Sequence, residues 1–433
     1  MLTKIWRWLL VIYVFIIPWQ TRWIYGPRLL NGGFWEYGSA SMFGSEILLW
    51  AIIIIFFIDH LRRKTTPHLF GKFHYETHKK NLWLAIGMIF FLLLSVLHSI
   101  SPAVSYDYVF HILEGMCLFI VLVGSGERVK LLYALWSGAV VQAMLGIFQF
   151  FSQEVVANKW LGLAAHKPAE LGGFVVEFGN ERWLRAYGSF GSPNILGGFL
   201  ALAFVLGLVM YLFSRPATKI YLTFGQAIIL SGLVMSFSRG AWVAAVAGWV
   251  LVGVYIISVG NQKEISFFKR YHLAGMYLKQ IIFFSLIFAG LFSLLSPIFF
   301  VRFNGGYRLE AKSLLEREEQ YQQSFSIIKK DLLMGVGPGA YTYKLSRLQP
   351  GKQVYDYQPV HNIYLLILAE WGVAGFVVWA VLFGFVTREI WRRHPEFLPV
   401  VFAVFVAAAF DHFWWSLPGG IAIWWLAFGM ILA

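Results

Sequence analysis

About twelve apolar runs, most of them near the ~20 residues a helix needs to cross the hydrocarbon of a bilayer, take up most of the 433-residue chain. In lipid, backbone polar groups find no water, so a lone run of this kind is expected to be a helix. The runs are Ile5–Trp19, Met42–Ile58, Leu82–Ile100, Val109–Val123, Leu131–Phe151, Ile195–Phe213, Ile220–Phe237, Ala241–Val259, Ile281–Phe300, Ile363–Val386, Phe397–Phe410 and Trp414–Leu432. A chain that is 59% hydrophobic and 13% charged, with 41 Phe and 19 Trp, has more apolar surface than a water-soluble domain can hide. The expected fold is an all-α polytopic membrane protein, one integral membrane domain over residues 1–433. Lys4 and Arg7 ahead of the first run imitate a secretory leader, but no A-x-A-like site follows, and the run reads as an uncleaved first helix. The single Cys117 lies inside an apolar run, which leaves no intramolecular disulfide and no thiolate metal site.

The net charge of +13 is distributed in a pattern. Arg62, Arg63, Lys64, Lys72, Lys79 and Lys80 share one connection, and Arg128 and Lys130 share another. Arg215 and Lys219, then Lys263, Lys269, Arg270 and Lys279, then Arg388, Arg392 and Arg393 follow. With the helix count above, all of these fall on one side. The alternate connections, such as Ser101–Tyr108, carry almost none. The positive-inside rule then puts both termini in the cytoplasm of a multi-pass protein of the cell (inner) membrane. It also puts two long loops outside, residues 152–193 and 303–360. The cations are expected to meet anionic lipid or a phosphorylated substrate, not nucleic acid.

The polar stretch beginning at Arg302 and running into His361-Asn362 and the apolar run to Ala374 stands out in such a chain. From Arg308 to Leu333 it reads as an amphipathic helix, with Leu314, Tyr321, Phe325 and Ile328 at helical spacing. Arg317 and Tyr321 are one turn apart and face the same way, as a substrate grip requires. The helix ends at GVGPGAY, where glycines and Pro338 force a turn. That turn lacks the spacing of a nucleotide-binding loop, so no nucleoside triphosphate is implied.

Three positions suit anion chemistry. Arg185, in RAYGSFGSPNILGG, precedes a helix whose exposed N–H groups favour an anion, and the small residues Gly188, Ser189, Gly191 and Ser192 allow close approach; the alternative is an interfacial arginine reaching for lipid headgroups. Arg239, in SFSRGAW, sits between two apolar runs with almost no loop. A guanidinium there needs either a phosphate, which it binds bidentately, or a buried carboxylate partner. His361 opens a helix beside arginines, where an imidazole resists protonation and can serve as a base; Asn362 binds substrate or simply caps the helix. Asp411-His412 reads either as a functional pair or, more readily, as a polar pair stabilising the rim, and His98, His111 and Glu114 as scattered packing groups with no metal-binding spacing.

RAYGSFGSPN, SFSRGAWVA, the Arg317 helix running into LLMGVGPGAY, and HNIYLLILAEWGVAG, in that order, resemble the O-antigen ligase and O-antigen polymerase-like membrane proteins. The resemblance covers about Leu184 to Trp379. It implies a GT-C-like fold with a large, partly helical extracytoplasmic loop before the tenth helix. The implied activity is that of a metal-independent, inverting glycosyltransferase without cofactor, which moves a glycan from a polyprenyl (undecaprenyl) diphosphate carrier to an acceptor hydroxyl. The acceptor is a lipid-linked sugar, a growing polysaccharide or a protein. By the same resemblance Arg185 and Arg239 hold the diphosphate, Arg317 faces the donor and His361 is the base. Leu332-Leu333-Met334 departs from the family pattern, where a proline often precedes the glycine turn. The competing reading is a polysaccharide or lipid-linked oligosaccharide transporter, which would place its polar residues at the bilayer midplane.

Overall fold

The computed structural model describes residues 1–62, 75–170, 172–179, 181–260 and 267–433. The chain order is α1 (Leu2–Ile16), β1 (Arg22–Gly26), β2 (Leu29–Leu30), β3 (Gly33–Phe34), β4 (Ala40–Phe43), α2 (Gly44–Arg62), α3 (Tyr75–His98), α4 (Pro102–Ser125), α5 (Arg128–Ser152), β5 (Val175–Phe178) and β6 (Glu181–Leu184). There follow α6 (Pro193–Phe213), α7 (Pro216–Met235), α8 (Arg239–Gly260), α9 (Phe267–Leu294), α10 (Ser296–Phe303), α11 (Arg308–Lys330), α12 (Tyr341–Leu348), α13 (Ile363–Arg393), α14 (Leu398–Ala408), α15 (Phe413–Ser416) and α16 (Pro418–Leu432). The protein is an all-α polytopic membrane protein. Eight of the described helices are long and apolar enough to cross a bilayer, and Ala85–His98, Pro395–Ala408 and Pro418–Leu432 are shorter apolar helices. With α1 they account for the expected runs.

Local chemistry sets most ends. Proline at the first turn opens α4, α6, α7 and α16, where its missing N–H is no loss. Gly126, left-handed at φ 64, stops α4. Two expected runs are cut by proline: Ile281–Phe300 breaks at Leu295, ahead of Pro297, and Trp414–Leu432 divides at Pro418 into α15 and α16.

The bundle is centred on α6, which packs against α5, α7, α8 and α14; α16 packs along α4. α6 is buried nearly all round and α9 faces largely outward, as a lipid-contacting helix does. Gly197 of α6 lets the α7–α8 turn come close, since a Cβ there would lie 2.8 Å from Ser236 Oγ and from Ser238 Cβ.

The connections gather at two ends. At one, Thr3 and Trp6 donate to Asp59, Arg7 pairs with Glu127 at 3.5 Å, Lys130 with Glu127 at 2.7 Å, and Arg128 bonds His394. Arg128, Arg215 and Glu396 line one cleft at this end. Basic connections that the sequence assigns to one side therefore do share an end. Arg63, Lys64, Lys72, Lys79, Lys80, Lys263, Lys269 and Arg270 lie outside the described residues or side chains.

The opposite end carries all the strands and the 303–362 segment. Beside the two expected long loops it holds a third built segment, residues 17–43, with its own β-structure. There Asn31 (φ 50) and Gly32 (φ 81) make the two-residue turn joining β2 to β3. It docks on the 303–362 segment through Trp35 Nε1 to Thr342 Oγ1 (3.0 Å) and Asn31 Nδ2 to the Tyr357 hydroxyl (3.0 Å).

α13 is broken at Gly372 (φ 64). The GVGPGAY turn fills the break: Val336 and Gly337 N–H donate to the Ala369 and Glu370 carbonyls, while Val373 and Ala374 N–H donate to the Leu332 and Leu333 carbonyls. A Cβ at Gly372 would sit 2.3 Å from Leu333 O. The backbone groups freed by the kink are thus satisfied by protein, as a helix broken within a bundle requires. The Leu332-Leu333 departure falls on carbonyls that serve this docking.

Candidate functional site

Two polar clusters lie along α11 at the loop-rich end. The first is built of arginines. The tight α7–α8 turn holds Phe237 at φ 47, a left-handed conformation that a bulky residue adopts only under constraint. Its ring is packed against Phe150, Trp242 and Phe299. The turn's carbonyls point at guanidiniums: Arg185 Nε donates to Ser236 O (2.7 Å) and Arg302 Nε to Phe237 O (2.9 Å). Arg185 Nη2 also donates to Asn194 Oδ1 at the start of α6 (2.7 Å). Arg239 Nη1 donates to Arg302 O (3.2 Å), and its Nη2 lies 3.2 Å from Glu310 Oε2, while the other oxygen of Glu310 takes Arg302 Nη1.

Arg239 and Arg302 thus hold one carboxylate, Glu310, with Arg185 within electrostatic reach of it, and three positive charges against one negative leave an excess of two. Burial first, and the Arg302 charge second, pull Arg185 well below the ordinary guanidinium value, a cost that a bound anion would relieve. Arg239 is the most open of the three, its side chain 31% exposed. The buried-carboxylate partner weighed for Arg239 is real, and Arg302 shares it. Two further arginines of this end, Arg182 and Arg308, both meet Glu177.

The second cluster is built of histidines. His361 precedes α13, and its Nδ1 lies 3.4 Å from Asp411 Oδ1. The same carboxylate oxygen accepts from His412 N–H (2.8 Å), and His412 Nδ1 lies 2.6 Å from Ser416 Oγ. The His361 and His412 ring centroids are 4.9 Å apart, and Tyr37, from the unexpected 17–43 segment, stands edge-on to His412 at 5.8 Å. Burial alone would raise the Asp411 carboxyl, but His361 above all, then His412 and Arg317, outweigh it and hold Asp411 well below the usual carboxylate range. Burial, reinforced by His361, pushes His412 down to about 3.

Asp411-His412 sits directly against His361, a neighbourhood that its distance in the chain hides. His361, Asp411 and His412 also offer ligand atoms within 4.8 Å of one another, a spacing compatible with a metal ion.

α11 joins the clusters. Glu310 and Arg317 are two turns apart on one face, about 10 Å along the axis. The Arg317 charge is felt at Arg239 on one side and at Asp411 and His412 on the other. The inward stripe runs Glu310, Arg317, Tyr321, Ser324, Ile328, all buried or half-buried. Tyr321 and Ile328 face in as expected. Leu314 (48% exposed) and Phe325 (51% exposed) face out, because the Glu310 ion pairs fix which side of the helix turns inward. Asn362 caps α13 by accepting from Leu365 N–H (3.1 Å), so its Oδ1 has a structural task.

His412 gives a pH dependence with a defined sign. Its ordinary value is 6.5 and its folded value about 3, so the unfolded chain takes up a proton that the folded one refuses between those limits. Stability is expected to fall as pH drops below 6.5, by up to about tenfold in the folding equilibrium per pH unit from this group. Melting midpoints at pH 7.5, 6 and 5 check this, against His412→Gln, in which that part of the slope should vanish.

Residues 224–380 match the family model described as O-Antigen ligase. That span contains Arg239, Arg302, Glu310, Arg317 and His361, whereas Arg185 and Asp411 lie on either side of it. A comparison with curated proteins found no match.

Proposed function

We propose that this multi-pass membrane enzyme, which carries an O-antigen ligase domain, transfers a glycan from a polyprenyl diphosphate carrier to an acceptor hydroxyl on the outer face of the membrane. The observation that carries this reading is the pair of clusters on α11. An anion cradle with two surplus positive charges lies at its first turn, and an imidazole beside a carboxylate lies within reach of the Arg317 charge two turns on. A diphosphate suits guanidiniums that present several N–H donors at fixed angles. Its prenyl chain would lie against the apolar outer surface of the bundle, in the lipid. Both termini then lie in the cytoplasm, the bilayer is the inner membrane, and residues 17–43, 152–193 and 303–360 are extracytoplasmic.

His361 would hold its proton on Nδ1, toward Asp411, leaving Nε2 for the acceptor. As the acceptor oxygen attacks the anomeric carbon, its proton passes to Nε2. The bond from that carbon to the diphosphate oxygen breaks, and the electron pair leaves with the diphosphate. Arg239, Arg302 and Arg185 neutralise the charge that grows there. Asp411 stabilises the imidazolium so formed, as a carboxylate does beside a catalytic histidine. Attack from the face opposite the leaving group inverts the anomeric centre. The diphosphate is a good leaving group, so neither a metal nor a protein acid has to assist it.

Purified protein, incubated with a defined polyprenyl-diphosphate glycan and a panel of acceptors without added metal or nucleotide, tests the reading. Inverted product without metal or nucleotide is expected; no product from any acceptor, or product only on adding metal, would contradict it. Asp411→Asn is expected to lower transfer by about 100-fold or more and to displace the acid limb of the rate-against-pH curve, because the charge beside the ring is gone. An unchanged pH profile would reduce Asp411 to a structural role.

A further inference from the structure

A second cluster of ionisable side chains lies inside the bundle and takes no part in the transfer reaction. Glu46 in the first turn of α2, and His111 and Glu114 one turn apart on α4, meet in the core, only 5%, 9% and 5% exposed. His111 Nδ1 is 3.4 Å from Glu114 Oε2 and 3.9 Å from Glu46 Oε1. One oxygen of each carboxylate, Glu46 Oε2 and Glu114 Oε1, is buried without a hydrogen-bond partner. The groups around them are a Phe43 backbone bond to Glu46, the Trp50 indole on Glu114, and Tyr13 of α1 within electrostatic reach of both. The arginines of this region have other partners. Arg22 bonds Ser41 and Glu36, and Arg28 pairs with Asp107 at 2.7 Å. Two carboxylates inside a membrane bundle are costly without countercharge, and a single imidazole supplies at most one. Reading His111 and Glu114 as scattered packing groups misses Glu46, which another helix brings to them.

We propose that Glu46, His111 and Glu114 bind a divalent cation of the zinc type. One imidazole with two carboxylates is a donor set that zinc accepts and that calcium or magnesium, which prefer oxygen alone, do not favour. A tetrahedral ion with bonds of about 2.0–2.1 Å separates its ligand atoms by about 3.3–3.4 Å, close to the spacing around His111. A cation of charge two cancels the two carboxylates and leaves the ring neutral. A cavity of about 40 Å³ beside His111, lined also by Arg22, Tyr37, Asp107 and Tyr108 but by neither Glu46 nor Glu114, has room for water next to the ring. The bound ion pins α2 to α4 under the 17–43 segment, whose Tyr37 ring meets His412. This assignment does not depend on the proposed glycan transfer.

Protein without a metal-binding tag, purified in detergent, stripped with chelator, reloaded with zinc and desalted, gives the test by elemental analysis and melting midpoint. About one zinc per chain is expected for wild type and for His361→Ala. At least a tenfold lower content is expected for Glu46→Gln/Glu114→Gln, with a zinc-dependent rise in melting midpoint only where zinc is held. Wild type retaining no more zinc than the double variant would overturn the assignment, as would loss of the ion in His361→Ala, which would place it in the other cluster. If the double variant does not fold, the wild-type titration decides: a stabilising shift that saturates near one equivalent supports the site, and no shift refutes it.

Discussion

Replacing His361 with alanine should abolish measurable glycan transfer, a fall of about 10²–10⁴-fold if the imidazole is the general base. The protein should still be made and inserted, because the ring lies at the loop-rich end and is one-fifth exposed. His361 caps no helix, and its Nδ1 has only the 3.4 Å approach to Asp411. Asn362, which does cap α13, is untouched. Transfer in membranes and the amount of folded protein, measured on the same preparation, separate chemistry from folding. Wild-type transfer would remove His361 from the mechanism.

Arg239→Lys should lower transfer by about 10–100-fold although the charge is kept. Arg239 already spends one terminal nitrogen on the Arg302 carbonyl and the other on Glu310, and it is the most open guanidinium of the cradle. A lysine ammonium cannot span both partners and still meet a diphosphate. If the loss lies in donor affinity, raising donor concentration recovers part of the rate. A lysine variant as active as wild type would mean that Arg239 acts only as a point charge or only braces Glu310.

The helical layout was legible because length and hydropathy decide it: each expected apolar run corresponds to a helix, although Met42 and Phe43 lie in β4, prolines divide two runs and Gly372 breaks a third. The residues that the sequence motifs name, Arg185, Arg239, Arg317 and His361, lie at one end of the bundle around α11. What was not legible is partnership. Asp411 meets His361, and Glu310 meets Arg239, across long stretches of chain, and no spacing rule announces such pairs. Arg302 opens the polar stretch without any motif that singles it out, yet it is largely buried and locked between Phe237 and Glu310. The 17–43 segment did carry a signal. Asn31-Gly32 between apolar residues is the strongest short hairpin cue, but it was hidden in what read as a plain connection between two helices.

The pairing of a diphosphate cradle with a histidine base is tested most directly by the structure of the protein bound to a polyprenyl diphosphate glycan that cannot be transferred. The expected result has the diphosphate oxygens on Arg239 and its neighbours Arg302 and Arg185, with the anomeric carbon facing His361 across the space beside Arg317. A diphosphate bound elsewhere, or a glycan whose anomeric carbon lies out of reach of an acceptor held by His361, would contradict it.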